Sequence, residues 1–140
     1  EKPESVKICS SEGSLMIVST GIDIVEVYRI SETLTRTPRF AERVYTARER
    51  EYCKERGAAS AQSYAARFAA KEAFLKALGT GWRGKIAWHD VELVNSAEGK
   101  PSLAIAGEAE KRLTEIGGRF VHLSISHTAE YAVAQVIIEA

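Results

Sequence analysis

The sequence predicts an α+β fold in which helices of the first half pack on an antiparallel sheet built mainly from the second half. Two observations support this fold class. Between residues 24 and 78, apolar residues recur at spacings of three, four and seven, which is the period of a helix with one buried face. After Gly81, short stretches rich in valine and isoleucine are separated by glycine-containing turns, which is typical of strands joined by hairpins.

Length and composition limit the class of protein. The 140 residues suffice for one domain with a single core, and 45% hydrophobic with 27% charged residues is typical of a soluble globular protein. Cys9 and Cys53 form neither a disulfide framework nor a zinc site, which favours a reducing, cytoplasmic location. No apolar run is long enough to cross a membrane. Residues 1–15 are expected to be a disordered leader or tag remnant ahead of a domain at 16–140.

The net charge is zero, but its distribution is uneven. Residues 67–85 carry five basic side chains against one acidic side chain, whereas residues 86–140 are acidic. A basic centre in a neutral chain indicates a local anion site. No nucleic-acid-binding motif accompanies it, so we expect no nucleic acid partner.

The first element is predicted to be a short buried strand that begins near Leu15 and ends near Val25. Gly21 precedes Asp23 by two residues, and glycine allows backbone and ligand to approach closely. Asp23 is therefore a candidate ligand-binding carboxylate. Its position also suits the N-cap of the following helix, and the two roles are compatible.

A helix is predicted from Ile24 to about Thr37, where Pro38 ends it. Arg29 and Arg36 are seven residues apart and share its polar face. Its apolar face carries Val27, Ile30 and Leu34.

Residues 39–45 are predicted to be irregular. Thr46 and Glu49 then form a capping box that opens a second helix, which ends near Arg56 and Gly57.

The longest predicted helix spans residues 60–78, and Gly79 and Gly81 terminate it. One apolar stripe follows from Tyr64, Phe68, Leu75 and Leu78.

The charges of this helix form two rows. Arg67 and Lys71 are four residues apart, and so are Glu72 and Lys76, so each pair is adjacent on a helix surface. One carboxylate among three cations suits a site that holds phosphate groups and a metal ion together. An ordinary solvated face with a Glu72–Lys76 surface pair is the alternative.

The remaining chain predicts two hairpins around a short helix. The predicted elements are a strand at 88–94, a turn at 95–101, a strand at 102–106, a helix at 107–116 and strands at 120–126 and 131–138.

The polar candidates lie at Asp23, in the 67–76 cluster, at Gly99-Lys100-Pro101 and at His127. Each has an ordinary structural explanation when considered alone. Together, two carboxylates, several cations and glycine-flanked backbone fit a magnesium–diphosphate site, since Mg²⁺ takes one or two protein carboxylates with phosphate oxygens and water.

Four ordered motifs over residues 16–139 resemble the holo-acyl-carrier-protein synthases, which are small, single-domain 4′-phosphopantetheinyl transferases. The motifs are Gly21-Ile22-Asp23, the run from Arg67 to Ala73 with Lys76 and Gly79-Thr80-Gly81, Gly99-Lys100-Pro101, and the run from His122 to Thr128. The resemblance implies the fold of that family and a homotrimer with sites between subunits.

The resemblance also implies residue roles. Asp23 and Glu72 would bind Mg²⁺, and Lys76 would join them as a catalytic residue. The positions implied to bind coenzyme A are Arg67, Lys71, Lys76, Gly79, Thr80, Gly81, Lys100, Pro101 and His127. Arg29, Arg36 and Arg39 would dock the acidic acyl carrier protein.

The implied reaction moves 4′-phosphopantetheine from coenzyme A to a serine of apo acyl carrier protein, releases 3′,5′-ADP and supports fatty acid biosynthesis. Glu72, or a metal-coordinated water that it holds, would take the serine proton, and both alternatives remain open. Two other functions also remain open: a non-catalytic coenzyme A or nucleotide-binding module, and a transferase for polyketide or peptidyl carrier domains.

Overall fold

A computed structural model describes residues 16–79 and 85–140. Its helices and strands are, in chain order, β1 (Ile17–Glu26), α1 (Val27–Arg36), α2 (Phe40–Val44), α3 (Ala47–Lys54), α4 (Ser60–Leu78), β2 (Val91–Asn95), β3 (Pro101–Ile105), α5 (Gly107–Glu115), β4 (Phe120–His127) and β5 (Tyr131–Glu139). The predicted leader and the predicted ligand positions Thr80 and Gly81 lie outside the described residues. Among the helices described, none has the length and apolar character needed to span a membrane.

The strands form two antiparallel sheets. One has the order β1-β5-β4, and the other is the β2-β3 hairpin. In the larger sheet β5 is central, so Asp23 of β1 and Ile125 of β4 both pair with Ala134. The predicted α+β class, with helices concentrated in the first half and hairpins in the second, is confirmed.

Helix α4 crosses the inner face of the larger sheet at unusually close range. A Cβ atom at Gly21 would lie 2.0 Å from the carbonyl oxygen of Ala73 and 2.8 Å from the backbone nitrogen of Ala77. Only glycine on the strand and small residues on the helix permit this approach. The contact places the middle of β1 directly against the fourth turn of α4.

Helix α4 is buried on more sides than its apolar stripe predicts. Alanines 65, 66, 69, 70, 73 and 77 are all buried, and so are Arg67 and Lys71. Its C-terminal end follows the prediction, because Gly79 adopts φ 79° and donates its N–H to the carbonyls of Leu75 and Lys76.

Three local predictions are wrong at the level of single elements. Strand β1 continues through Glu26, so Asp23 lies inside the strand and does not cap α1. Residues 40–44 form the short helix α2. Trp88–Asp90 is a 3₁₀ turn, and the strand begins at Val91. The capping box is confirmed, since Thr46 and Glu49 each accept a hydrogen bond from the backbone of the other.

The outer face of the larger sheet carries exposed apolar side chains. Ile22 is 59% exposed and Ile24 is 65% exposed. By contrast, Val136 and Ile138 of β5 are fully buried within the chain. The apolar surface that another molecule could cover therefore lies on the other face of β5 and β1, which points away from α4.

Candidate functional site

Asp23 and Glu72 line one cleft of about 440 Å³. Because alternate residues of a strand share a face, Asp23 points to the same side as Gly21, toward α4. The Gly21–Ala73 contact brings this carboxylate to the turn of α4 that carries Glu72. The other lining residues come from β1, α1, α2, α4 and β5, and they are Ile24, Val25, Glu26, Arg29, Ile30, Thr33, Phe40, Phe68 and Tyr131.

Lys76, one turn after Glu72 on α4, contacts Asp23 directly. Its Nζ atom donates to Asp23 Oδ1 at 2.9 Å and to the carbonyl oxygen of Ile22 at 3.0 Å. The Asp23 side chain is 15% exposed and the Lys76 side chain is 54% exposed. Asp23 thus contacts Lys76 directly and shares the cleft with Glu72, although up to 53 positions separate these residues in the chain.

Lys71 does not join this group. Its side chain is completely buried, and its ammonium donates to Glu49 Oε1 at 2.8 Å and to the carbonyl oxygens of Trp88 and Val91. These three acceptors account for all three ammonium hydrogens. Burial lowers the pKa of Lys71, and the neighbouring Glu49 carboxylate opposes that shift.

Glu49 receives contacts from three elements. Besides Lys71 of α4, it accepts from the backbone of Thr46 at the start of α3 and from the N–H of Leu93 in β2. The buried pair therefore ties α3, α4 and β2 together directly behind Glu72. The sequence indicated Glu49 only as a capping residue, because its second role depends on a lysine 22 residues away.

Arg67 lies on another side of α4. Five residues separate it from Glu72, which corresponds to about 140° around the helix axis. Its guanidinium stacks on the ring of Tyr52 at 4.2 Å and donates to Asn95 Oδ1 at 2.7 Å. The predicted cluster of three cations around Glu72 is therefore wrong, since Arg67 and Lys71 are held elsewhere.

A second groove, of about 230 Å³, surrounds Arg67. Its lining residues are Arg48, Glu51, Tyr52, Glu55, Arg67, Leu93, Val94 and Asn95. Asn95 also donates to the carbonyl oxygen of Gly99, so Arg67 is connected to the turn that presents Lys100 and Pro101. Tyr52 and Asn95 were not predicted as site residues, because neither lies in a motif.

His127 ends β4 on the same face of the sheet as Asp23. His127 pairs with Ala132 of β5, and Ala132 pairs with Val25 of β1. His127 therefore lies two strands away from β1, level with Val25, which is two residues beyond Asp23. Its side chain is exposed and does not line the Asp23–Glu72 cleft. The predicted ligand residues thus separate into the cleft, the Arg67 groove and the strand end at His127, while Lys71 is internal.

The donor set of the cleft fits a hard cation with few protein ligands. Within residues 16–79 and 85–140, no three or more His, Cys, Asp and Glu side chains form a cluster that could hold a metal. Asp23 and Glu72 offer two carboxylates at an open surface. Mg²⁺ commonly binds through one or two carboxylates and completes its shell with phosphate oxygens and water, whereas a structural zinc site needs four ligands.

Three comparisons with known proteins agree on one family. The family model described as ACPS, 4′-phosphopantetheinyl transferase superfamily, matches residues 19–136. A holo-[acyl-carrier-protein] synthase of Koribacter versatilis is 50% identical over 125 residues, which is 89% of this chain and 99% of that protein.

Solved structures give the same result. A holo-(acyl-carrier-protein) synthase from Bacillus anthracis in complex with CoA (3′,5′-ADP) is 43% identical with a TM-score of 0.74, over 89% of this chain and 98% of that one. A holo-[acyl-carrier-protein] synthase from Neisseria meningitidis is 36% identical with a TM-score of 0.80, over 89% of this chain and all of that one.

We predict that Lys71→Met destabilises the protein by about 3–5 kcal/mol, because it leaves the Glu49 carboxylate buried without its cation. The double variant Glu49→Gln with Lys71→Met should recover much of this loss, since no uncompensated charge remains. Urea unfolding of the wild type, both single variants and the double variant measures the coupling.

The control is Lys111→Met, which breaks the exposed Lys111–Glu108 pair and should change stability by less than about 1 kcal/mol. Strictly additive effects of the Glu49 and Lys71 substitutions would contradict the assignment of Lys71 to this internal pair.

Proposed function

Because the chain belongs to the 4′-phosphopantetheinyl transferase superfamily, we propose that it is a holo-acyl-carrier-protein synthase. It transfers the 4′-phosphopantetheine group of coenzyme A to a serine of apo acyl carrier protein, releases 3′,5′-ADP and thereby supports fatty acid biosynthesis. The observation that carries this proposal is that Asp23 and Glu72 line one cleft and Lys76 donates to Asp23, in a chain 50% identical to a synthase over 99% of that synthase. The free, buried thiol of Cys53 fits a reducing cytoplasm.

Asp23 and Glu72 are the residues that would hold Mg²⁺. When bound, the ion supplies positive charge to the diphosphate oxygens, on which negative charge develops during phosphoryl transfer. Lys76 reaches the same place from the next turn of α4 and adds a mobile cation. Helix α4 and strand β1 are held together by the Gly21–Ala73 contact, so these side chains are positioned on rigid elements.

The reaction requires one bond to form and one to break. The serine oxygen bonds to the β-phosphorus of coenzyme A, while the bond from that phosphorus to the bridging oxygen breaks and 3′,5′-ADP leaves with the electron pair. The serine proton needs an acceptor. Glu72 lines the cleft and can accept it directly or through an intervening water.

The separation of the cleft from the Arg67 groove supports a site completed by a second subunit. In one chain, the residues implied to contact coenzyme A lie on different sides of α4. A homotrimer with sites between subunits would place the groove of one subunit beside the cleft of the next. The exposed face with Ile22 and Ile24 offers the apolar surface that such an assembly would cover.

The direct test combines the protein with coenzyme A, Mg²⁺ and a panel of apo carrier proteins from fatty acid, polyketide and peptide synthesis. Mass spectrometry reports the addition of phosphopantetheine to the carrier. Modification of the fatty acid carrier at the highest kcat/KM supports the proposal. Preference for a polyketide or peptidyl carrier would show that the protein acts on the alternative class of substrate. Binding of coenzyme A without any transfer would indicate a non-catalytic module.

We predict that Asp23→Ala and Glu72→Ala each abolish transfer, with a loss of at least about a hundredfold, while the fold is retained. Each substitution removes one of only two carboxylates that would hold the ion. Glu110→Ala, on the exposed side of α5, is the matched control and should keep full activity. Wild-type turnover by either cleft variant in magnesium would refute the metal assignment. A chelator should stop the wild type, and added Mg²⁺ should restore it.

We predict that light scattering gives the mass of three chains of 15.4 kDa each. Ile22→Glu together with Ile24→Glu should dissociate the assembly, because two charges would enter its covered face. Lys111→Glu on α5 is the control and should leave the mass unchanged.

Mixing two inactive variants tests whether the site is shared. Asp23→Ala and Arg67→Gln damage different parts of the proposed composite site, so exchange of their subunits should restore part of the activity. A fully active monomer, or mixtures with no more activity than the separate variants, would defeat the shared site.

Docking of the carrier is proposed for the exposed arginines of α1 and its end, Arg29, Arg36 and Arg39. Arg29 borders the Asp23–Glu72 cleft, although it also forms an exposed pair with Glu26 at 3.4 Å. Arg36 pairs with Glu32 at the other end of the helix. Exposed charges of this kind act mainly on the rate of encounter with an acidic partner.

We predict that Arg29→Glu with Arg36→Glu raises KM for the carrier protein at least about tenfold and changes KM for coenzyme A little. Increasing salt should have the same selective effect on the wild type, because screening acts within about 10 Å at 0.1 M. The matched control is Lys111→Glu with Arg112→Glu, an equal change of charge on α5. Equal effects of the two double variants would show that net charge matters and that α1 is not the docking surface.

A further inference from the structure

The ammonium of Lys76 occupies one of the two carboxylates that would hold the metal ion. Its Nζ atom lies 2.9 Å from Asp23 Oδ1, and the carbonyl oxygen of Ile22 accepts a second hydrogen bond at 3.0 Å. Both acceptors belong to β1, so two hydrogen bonds hold the ammonium against the strand. With Asp23 only 15% exposed, water screens this pair less than it screens an ordinary surface pair.

The two partners differ in mobility. Asp23 is fixed within β1, which pairs with β5 along the whole stretch around it. Lys76 is more than half exposed and carries its charge on a flexible four-carbon stem. A change of partner at this pair therefore moves Lys76 and leaves Asp23 in place.

A divalent cation that binds Asp23 encounters the Lys76 ammonium, which already donates to Oδ1. The cation must displace the ammonium or bind beside a positive charge, and either event weakens its binding. An anionic diphosphate has the opposite effect, because its oxygens offer the ammonium a new partner while they also supply ligands to the cation.

We propose that Lys76 competes with the divalent cation for Asp23 and that the diphosphate of coenzyme A removes this competition by drawing Lys76 away. Metal and coenzyme A then bind cooperatively, and linkage makes the coupling equal in both directions. The proposal rests on the proposed function, since it concerns the same cleft. It adds that the metal ion and coenzyme A regulate each other's binding there. The Lys76 ammonium then balances the charge of Asp23 until the substrate arrives.

The experiment measures Mn²⁺ binding directly by calorimetry and by the electron paramagnetic resonance of free Mn²⁺. Wild type and Lys76→Met are titrated without ligand and with saturating coenzyme A. No carrier protein is present, so no turnover occurs. Titration of coenzyme A with Mn²⁺ in the absence of protein corrects for binding to the free nucleotide.

Lys76→Met should bind Mn²⁺ alone roughly twofold to fivefold more tightly than the wild type, which is the range expected when one competing ion pair is removed. Coenzyme A should increase Mn²⁺ affinity less in the variant than in the wild type. Lys76→Gln, which keeps a donor for Ile22 but no charge, should also bind Mn²⁺ more tightly. Lys111→Met should behave as the wild type.

Unchanged or weaker Mn²⁺ binding by both Lys76 variants, with unchanged coupling to coenzyme A, would overturn the proposal. Circular dichroism confirms that each variant is folded. Asp23→Asn separates this failure from a failure of the proposed function: if it binds Mn²⁺ as the wild type does, the metal assignment is wrong. Transfer to the carrier by the wild type tests the activity independently.

Discussion

The close contact between Gly21 of β1 and Ala73 of α4 determines where the polar side chains meet. A strand and a helix normally keep their backbones apart by the thickness of two side chains. Here the missing Cβ atom and an alanine surface bring strand and helix backbone together. Asp23 follows Gly21 on the same face of the strand, so it reaches the turns that carry Glu72 and Lys76. A larger residue at either contact position would separate β1 from α4 and the cleft would lose its geometry.

The charged residues of α4 have three separate destinations, although they lie within ten positions of one another. Lys71 is internal and neutralises Glu49, Arg67 is held by Tyr52 and Asn95 in a groove, and Lys76 reaches Asp23 at the cleft. Helix α4 therefore contributes side chains both to the protein core and to the candidate site. Buried charges of this kind persist because each is paired and hydrogen-bonded, and the internal pair fixes the elements behind Glu72.

The sequence predicted what depends on neighbours in the chain. The Thr46–Glu49 capping box, the bounds of α4 and its stop at Gly79 are all local, and all are confirmed. Motif spacing also indicated Asp23, Glu72 and Lys76 as candidates, and in the structure Asp23 accepts from Lys76 and shares a cleft with Glu72. It did not reveal the surroundings of Arg67 and Lys71, because residues four apart share a helix surface whether that surface faces water, a core or a ligand. The cap role of Asp23 failed for a similar reason, since pairing of β1 with β5 carries the strand three residues further.

The arrangement of the cleft has a consequence for how its charges are balanced. Asp23 and Glu72 place two carboxylates at one cleft, and a metal ion would balance their charge only while it is bound. In the proposed mechanism, Lys76 pairs with Asp23 until the phosphates offer its ammonium a new partner. Placing that cation on a long, half-exposed side chain, while Lys71 nearby is locked inside, separates the mobile charge from the fixed one. Helix α4 thus carries a fixed ammonium at Lys71 and a movable ammonium at Lys76, and their difference in burial accounts for the difference in role.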